Sequence, residues 1–322
     1  MESCFDAKAD AGAVEVEEGK IPGSRVPCRA TVRPRIVRVP VAIALAVLLA
    51  VLFVLERRFA LRRGRRPLLG RLLVNACISV LAVTVATLLV RPVATRMLDW
   101  TSETPFGLLH VVPMPPAAQY VVAFLLMDLT FYWWHVANHR IPLLWRFHNV
   151  HHIDPDLDVS TAFRFHFGEV ALSAIFRVVQ IGAIGLSVWM FAVYEFVFQA
   201  NTAFHHSNIR LPIGIERVLN LVLVTPRMHG IHHSEVRHET NSNYSVVFSW
   251  WDRLHRTLGL NIPQSEIVIG VPGYAERRDN SVRNTLLLPF QRQREYWRRA
   301  DGTPVERAGT ARGSDRKTRL AE

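Results

Sequence analysis

Apolar residues in this chain gather into long unbroken runs instead of alternating with polar ones. Val39 to Leu55 (VPVAIALAVLLAVLFVL) carries no charge. It approaches the roughly 20 apolar residues that span a bilayer, and it predicts an anchor helix. A signal peptide is the competing reading. The long Pro-containing lead, and Glu56-Arg57-Arg58 where small cleavage-site residues would stand, argue against it. Leu72 to Val90 predicts a second span, framed by Arg71 and Arg91. A third apolar helix starts near Ala117 and ends on Phe131, Tyr132, Trp133 and Trp134, residues suited, like Trp145, to a membrane–water interface. From Val170 to Ala203 the chain is mostly apolar and long for one crossing, with Gly182 and Gly185 near its middle, so a tight helical hairpin is expected. The fold class expected is all-α: a multi-pass membrane helical bundle.

The polar stretches divide the rest. Residues 1–38 are acidic and then Pro/Arg-rich and predict a disordered tail, residues 280–290 an interfacial helix, and residues 299–322 a charged, disordered tail. A hydrophobic content of 50% excludes a wholly disordered or collagen-like chain, and Cys4, Cys28 and Cys77 are too few and scattered for a disulfide framework or a cysteine zinc site. The net charge of +11 raises the question of nucleic acid. Its basic excess flanks the apolar runs, within 20–71, and fills the C-terminal tail, which fits topology and anionic headgroups, so no nucleic-acid partner is expected. Arg57, Arg58, Arg62, Arg63, Arg65, Arg66 and Arg71 place the loop after the first span in the cytoplasm, although Lys20 to Arg38 compete for that side. The third helix then delivers its C-terminal histidines to the cytoplasm, and a hairpin at 170–203 returns His205 and His206 to the same face.

Histidine is the residue to explain. Twelve of the 14 lie between His135 and His238, and none precedes His110. His135 and His139 form an HX3H motif; His148, His151 and His152 form HX2HH, and His229, His232 and His233 repeat it. Helical neighbours at i, i+3 and i+4 share a face, so each motif can grip a metal ion. One HX3H pair arises easily by chance; three motifs in a histidine-free background do not. Eight imidazoles offer two ions about four ligands each, suited to activating dioxygen or water. Asp128, seven residues before His135 on an apolar helix, is expected to orient His135 or His139, directly or through Tyr132. Glu169 and Glu195 are either outer partners of the histidines or hydrogen-bond partners within the bundle, with the bundle favoured for Glu195. His238 and His255 read as exposed polar residues, and His110 lies outside the cluster.

The runs DLTFYWWHVANHRIPLLWRFHNVHH and HGIHHSEVRHETNSNYSVVFSWWDRL resemble the fatty acid hydroxylase/sterol desaturase superfamily over roughly residues 117–260. That resemblance implies a non-haem di-iron enzyme of the membrane, using O2 to hydroxylate or desaturate a lipid such as a sterol or fatty acyl chain. It carries metal ligation onto His135, His139, His148, His151, His152, His229, His232 and His233, and onto His206 in FHHSNIRLP. His205, His166 and Asn243 follow as further ligands or outer partners, with Asn243-Tyr244 and Trp251-Asp252 matching family positions. Val136 departs from an arginine common in the family, and His255-Arg256 departs from the residues often found after WDRL. The chain shows no flavin, haem or iron–sulfur motif, so an external donor of ferredoxin or cytochrome type is expected. The domain division is then a tail at 1–38, two membrane helices and their loop at 39–116, the catalytic domain at 117–260, and an interfacial segment with a basic tail at 261–322. The expected setting is a membrane, the inner membrane if the cell is bacterial, with the histidines facing the cytoplasm. A zinc-dependent membrane hydrolase or amidase and a metal transporter are the rival readings.

Overall fold

The computed structural model describes residues 35–307. Of the tails expected at 1–38 and 299–322, residues 1–34 and 308–322 lie outside the described residues. Each apolar run becomes a helix, the conformation that satisfies its own backbone in lipid. α1 (Arg35–Arg58) begins four residues inside the expected N-terminal tail. α2 (Leu68–Val85) runs through a π-helical turn at Ala86–Val90 into α3 (Arg91–Glu103), followed by α4 (Leu108–Val111). α5 (Pro116–Arg140), α6 (Pro142–His152), α7 (Phe167–Ile184) and α8 (Val188–His206) form the heart of the molecule. Short helices α9 (Ile213–Leu219), α10 (Pro226–His232), α11 (Arg237–Thr240), α12 (Trp250–Leu254) and α13 (Val282–Leu287) complete it. Among the described residues there is no strand, only isolated bridges such as Ser234 with Ile269.

Among the described residues, three stretches are long and apolar enough to cross a membrane: Leu68–Val111, Pro116–Arg140 and Phe167–Ile184. Val80, Leu88, Val121, Ile175 and Val179 on these helices remain exposed. So much outward hydrocarbon is rare on a water-facing surface and suits acyl chains. Inside, Met127 and Phe131 of α5 meet Ile181 of α7 and Tyr194 of α8. Arg177 of α7 pairs with Glu195 of α8 at 2.5 Å and lies over the Phe131 ring, so Glu195 is a bundle partner.

The apolar stretch 170–203 is a helical hairpin turning at 185–187. Gly185 ends α7 at φ +80, and the Ser187 hydroxyl accepts from Met190 N–H to open α8. Gly107, at φ +98, meets Gly185 backbone to backbone, and a Cβ on Gly185 would stand 2.5 Å from the Phe106 carbonyl oxygen. Gly185→Ala is therefore expected to destabilise the protein by about 1–2 kcal/mol or more, read as a lowered thermal midpoint in nanodiscs.

The C-terminal segment departs in part from expectation. Residues 282–290 form the helix expected there and also pack onto the bundle, with Leu288 buried and Phe290 exposed. Residues 299–307, expected within a disordered tail, are fastened by ion pairs: Arg299 to Glu235, and Arg307 to Glu239. Those acids lie just after the last histidine motif, a partnership between distant segments that no local pattern reveals.

Candidate metal centre

The hairpin brings both histidine-bearing ends of the bundle together. His135 and His139 lie at the C-terminal end of α5. Ile141 is extended and Pro142, lacking an N–H, cannot continue that helix, so the chain breaks and restarts as α6 carrying His148, His151 and His152. α8 ends on His205 and His206, and α10 supplies His229 and His232.

Nine imidazoles form two groups. His135, His139, His148, His152 and His232 make one; His151, His206, His229 and His233 make the other, with ligand nitrogens inside each group within 4.8 Å of one another. Each HX2HH motif divides. His148 and His152, four apart, enter the first group while His151 crosses to the second; His229 and His233, four apart, enter the second while His232 crosses to the first. The spacing that puts three imidazoles on one helical face thus serves two neighbouring sites.

Hydrogen bonds fix how the rings point. The Nδ1 atoms of His135, His206 and His232 lie 2.8, 2.8 and 2.6 Å from the carbonyl oxygens of Tyr244, Thr202 and Ser242. A carbonyl only accepts, so each Nδ1 carries the proton and each Nε2 keeps its lone pair free. His148 Nδ1 meets Glu169 Oε1 at 2.9 Å. An outer acceptor on the far ring nitrogen is the usual support of a metal-binding histidine. The inward atoms fit the same reading: Nε2 of His139, His148, His152 and His232 are buried with no hydrogen-bond partner. In the second group, His206 Nε2 lies 3.0 Å from both His151 Nε2 and His229 Nε2. The one lone pair on His206 Nε2 can accept from only one of these two neighbours, so three nitrogens meeting this way are fully satisfied by a cation between them. Burial first, and then mutual crowding, push His151, His152, His229, His232 and His233 well below the ordinary imidazole value, so they are neutral and available as donors. Borderline nitrogen donors of this kind suit iron, zinc or copper.

Glu169→Ala is expected to lower metal affinity or turnover by about 10–100-fold, because His148 loses the carboxylate that aims it. Metal content measured after graded chelation tests this, with Glu169→Gln recovering part of the loss.

Other expected residues are placed elsewhere. His166 caps α7, its Nδ1 accepting from Gly168 N–H while Nε2 meets the Leu286 carbonyl, and it joins neither group. His205 is buried beside His206 and His229, bonds Asn201, and is likewise outside both. Asn243, at φ +56, ties its amide to the Met228 and Gly259 carbonyls and so shapes the loop beyond the last motif. Asp128 touches no histidine. Its carboxylate accepts from Tyr194 O–H, Trp251 Nε1–H and the backbone N–H groups of Val247 and Phe248. Tyr132 bonds Thr257. The expectation that Asp128 aims a histidine directly, or through Tyr132, is therefore corrected: it anchors the loop whose Tyr244 carbonyl aims His135.

Trp145 is also corrected. It is buried, with its ring 4.9 Å from His139 and 5.3 Å from His152, so it floors the first group instead of facing an interface. Trp133 stays exposed, and Trp134 stacks on Phe176. His110 and His238 are exposed. His255 stacks on Tyr132 at 4.6 Å, a contact sequence reasoning missed.

Behind α6 lies a buried charge network equally hidden from the sequence. Arg71, expected among the solvated loop arginines, pairs with Asp154 and Asp158. Arg164, fully buried, bonds the Val150 carbonyl and the Asn75 and Asn280 side chains. Burial alone would raise the Asp154 carboxyl; Arg71, Arg164, Asn75 and Thr161 outweigh it and hold the group below its ordinary value. The network pins the loop after His152 to α2.

A helical bundle carrying two groups of inward-facing histidines defines the class; comparison with known proteins shows what it resembles. Residues 120–257 match the family model for fatty acid hydroxylase. Ornithine lipid hydroxylase OlsE of Rhizobium tropici is 31% identical over 163 residues, covering 49% of this chain and 47% of that protein. Alkylglycerol monooxygenase of Homo sapiens is 30% identical over 138 residues, covering 42% of this chain and 29% of that protein. A cholesterol 25-hydroxylase-like protein of Caenorhabditis briggsae is 24% identical over 177 residues, covering 55% and 56% respectively. The chain thus spans about half, or less, of the length of these curated relatives. No solved structure matches it.

Proposed function

We propose that this protein is an integral-membrane, O2-dependent lipid hydroxylase whose nine clustered histidines hold two iron ions. The observation that carries the reading is the five-and-four division of buried and half-buried imidazoles, with acceptors fixing the outer nitrogens of His135, His148, His206 and His232. Iron bound there would supply the oxidising power for an unactivated C–H bond, which no side chain provides. The chain's own part is to hold the rings, exclude water and present the lipid. The carbonyls of Tyr244, Thr202 and Ser242 keep lone pairs pointing inward. Trp145 closes the floor of the first group. The outward apolar faces of α2, α5 and α7 let the substrate arrive from the bilayer.

Hydroxylation is favoured over desaturation because the relatives are named hydroxylases and a monooxygenase. Ornithine lipid and alkylglycerol, named for the relatives at 30–31% identity, favour a long-chain lipid with a polar head over a sterol. Electrons come from a separate carrier of ferredoxin or cytochrome type. The arginine loop packs at the histidine end, where Arg62 reaches Gln264 and the Arg65 and Arg66 N–H groups bond Asp156, which with the positive-inside rule supports a site facing the cytoplasm.

The test is metal analysis joined to lipidomics of cells making the intact protein or His148→Ala, with and without O2. Iron, and an O2-dependent hydroxylated lipid absent from the variant, are expected. Zinc with O2-independent turnover would establish a hydrolase instead, and metal flux without lipid conversion a transporter.

A further inference from the structure

Lipid hydroxylation consumes a C–H bond, O2, two electrons and two protons, and yields an alcohol and water. On the reading above, both electrons must enter from outside the chain, one at a time, from a reduced iron–sulfur or haem carrier that loses one electron per visit. We propose that Trp297 and Trp145 form the electron-input route to the five-histidine group, and that an acidic one-electron carrier protein docks over them on Arg146, Arg292 and Arg298.

The rings make a continuous series. Trp145 lies against His139 and His152 on one side, and stacks with Trp297 at 5.8 Å and 26° on the other. Trp297 is only half buried, so the series runs from the surface to the metal-binding histidines in two aromatic steps. The segment carrying it lies beyond the family match at 120–257. It is nonetheless firmly placed: Gly273 N–H donates to the Tyr296 carbonyl, Val305 N–H donates to the Trp297 carbonyl, and Tyr274 stacks on Tyr296. Neighbouring π systems couple a surface donor to a buried acceptor better than aliphatic packing across the same gap.

Charge selects the partner. Arg146, beside Trp145 in sequence, and Arg292 and Arg298, flanking Trp297, are exposed and have no acidic partner among the described residues. Arg294 and Arg299 are already paired with Asp279 and Glu235. Glu295, Asp301 and Glu306 are the exposed acids of this segment, while the charged residues immediately beside the two rings in sequence, Arg146 and Arg298, are both basic, so the basic patch lies where the ring series meets the surface. Such a face steers an acidic protein. An anionic membrane would need the charge but not the rings leading inward, and those rings favour a redox carrier.

The experiment uses the full chain, iron-loaded, in phosphatidylcholine nanodiscs, with reduced plant-type [2Fe–2S] ferredoxin as probe. Anaerobic stopped-flow follows ferredoxin oxidation, and binding is measured separately on loaded and metal-free protein. Trp297→Leu is expected to bind ferredoxin as the parent does and to oxidise it about tenfold more slowly, with Trp297→Phe between them. Dithionite should reduce all three alike, which shows that the site is intact. Arg146→Glu, Arg292→Glu and Arg298→Glu combined are expected to weaken ferredoxin binding about tenfold and flatten its salt dependence. Parent-like ferredoxin oxidation by Trp297→Leu would overturn the route. No ferredoxin binding by the parent at low salt would overturn the docking face. So would a triple variant that keeps ferredoxin but loses phosphatidylserine vesicles, which would make the face a membrane patch. A parent protein that takes up no iron, or that dithionite cannot reduce, would instead overturn the hydroxylase reading itself.

Discussion

His232→Ala is expected to reduce lipid conversion by more than about 100-fold, beyond the 10–100-fold typical of losing an outer hydrogen bond. His232 belongs to the last motif in sequence, yet its free Nε2 joins the group built on α5 and α6, 97 residues from His135 (232 less 135). Its loss removes one of five donors and strands the Ser242 carbonyl that aims it. Metal content per chain should fall along with conversion. His166→Ala is the matched control: its ring bonds Gly168 and Leu286, so metal content should stay at the parental level. Equal metal loss in both variants would show that histidine replacement acts through folding and not through ligation.

The second large effect is on stability. Asp128 is fully buried and accepts four hydrogen bonds, from α8, from the loop at 247–248 and from Trp251. Asp128→Ala leaves those donors without an acceptor, and the expected loss is about 3–5 kcal/mol. Asp128→Asn keeps the shape but turns an amide toward donors, so its loss should be smaller, about 1–3 kcal/mol. Thermal unfolding in nanodiscs reads both. Because the same loop supplies the Tyr244 carbonyl to His135, metal retention should weaken alongside the midpoint. An unchanged midpoint would mean that the loop is held by Asp252 alone, which accepts from the Tyr244 and Ser245 N–H groups.

Much of the architecture could be read without coordinates, and the exceptions share one cause. Helices at 39–55, 72–90 and 117–140 follow from apolar run length, a local property. The hairpin at 170–203 is legible because Gly182 and Gly185 sit near its middle and because a single crossing would separate His205 and His206 from the other histidines; the structure puts the turn at Gly185. Trp145 was misplaced because an aromatic residue at a helix start looks the same from sequence whether its far side meets lipid or Trp297. Asp128 was recognised as unusual but given the wrong partners: its donors lie on α8 and the loop at 247–251, more than 60 residues away. Arg71 looked like one more loop cation until Asp154 and Asp158 arrived against it. Glu169 was among the candidates, and only the approach of α7 to α6 gave it His148.

By itself the sequence determined the helices, a reversal near Gly182 and Gly185 and eight of the nine clustered histidines, because each depends on periodicity, chain reversal or residue spacing; the ninth, His206, followed from the family resemblance. The tertiary structure alone decided how those histidines divide five and four, which carbonyl aims each ring, and that the chain beyond residue 257 returns to lay Trp297 on Trp145. A helix face fixes which side chains stand together; it does not fix what stands opposite. Donor–acceptor geometry at this site arises between segments tens of residues apart, and only packing brings them within bonding distance.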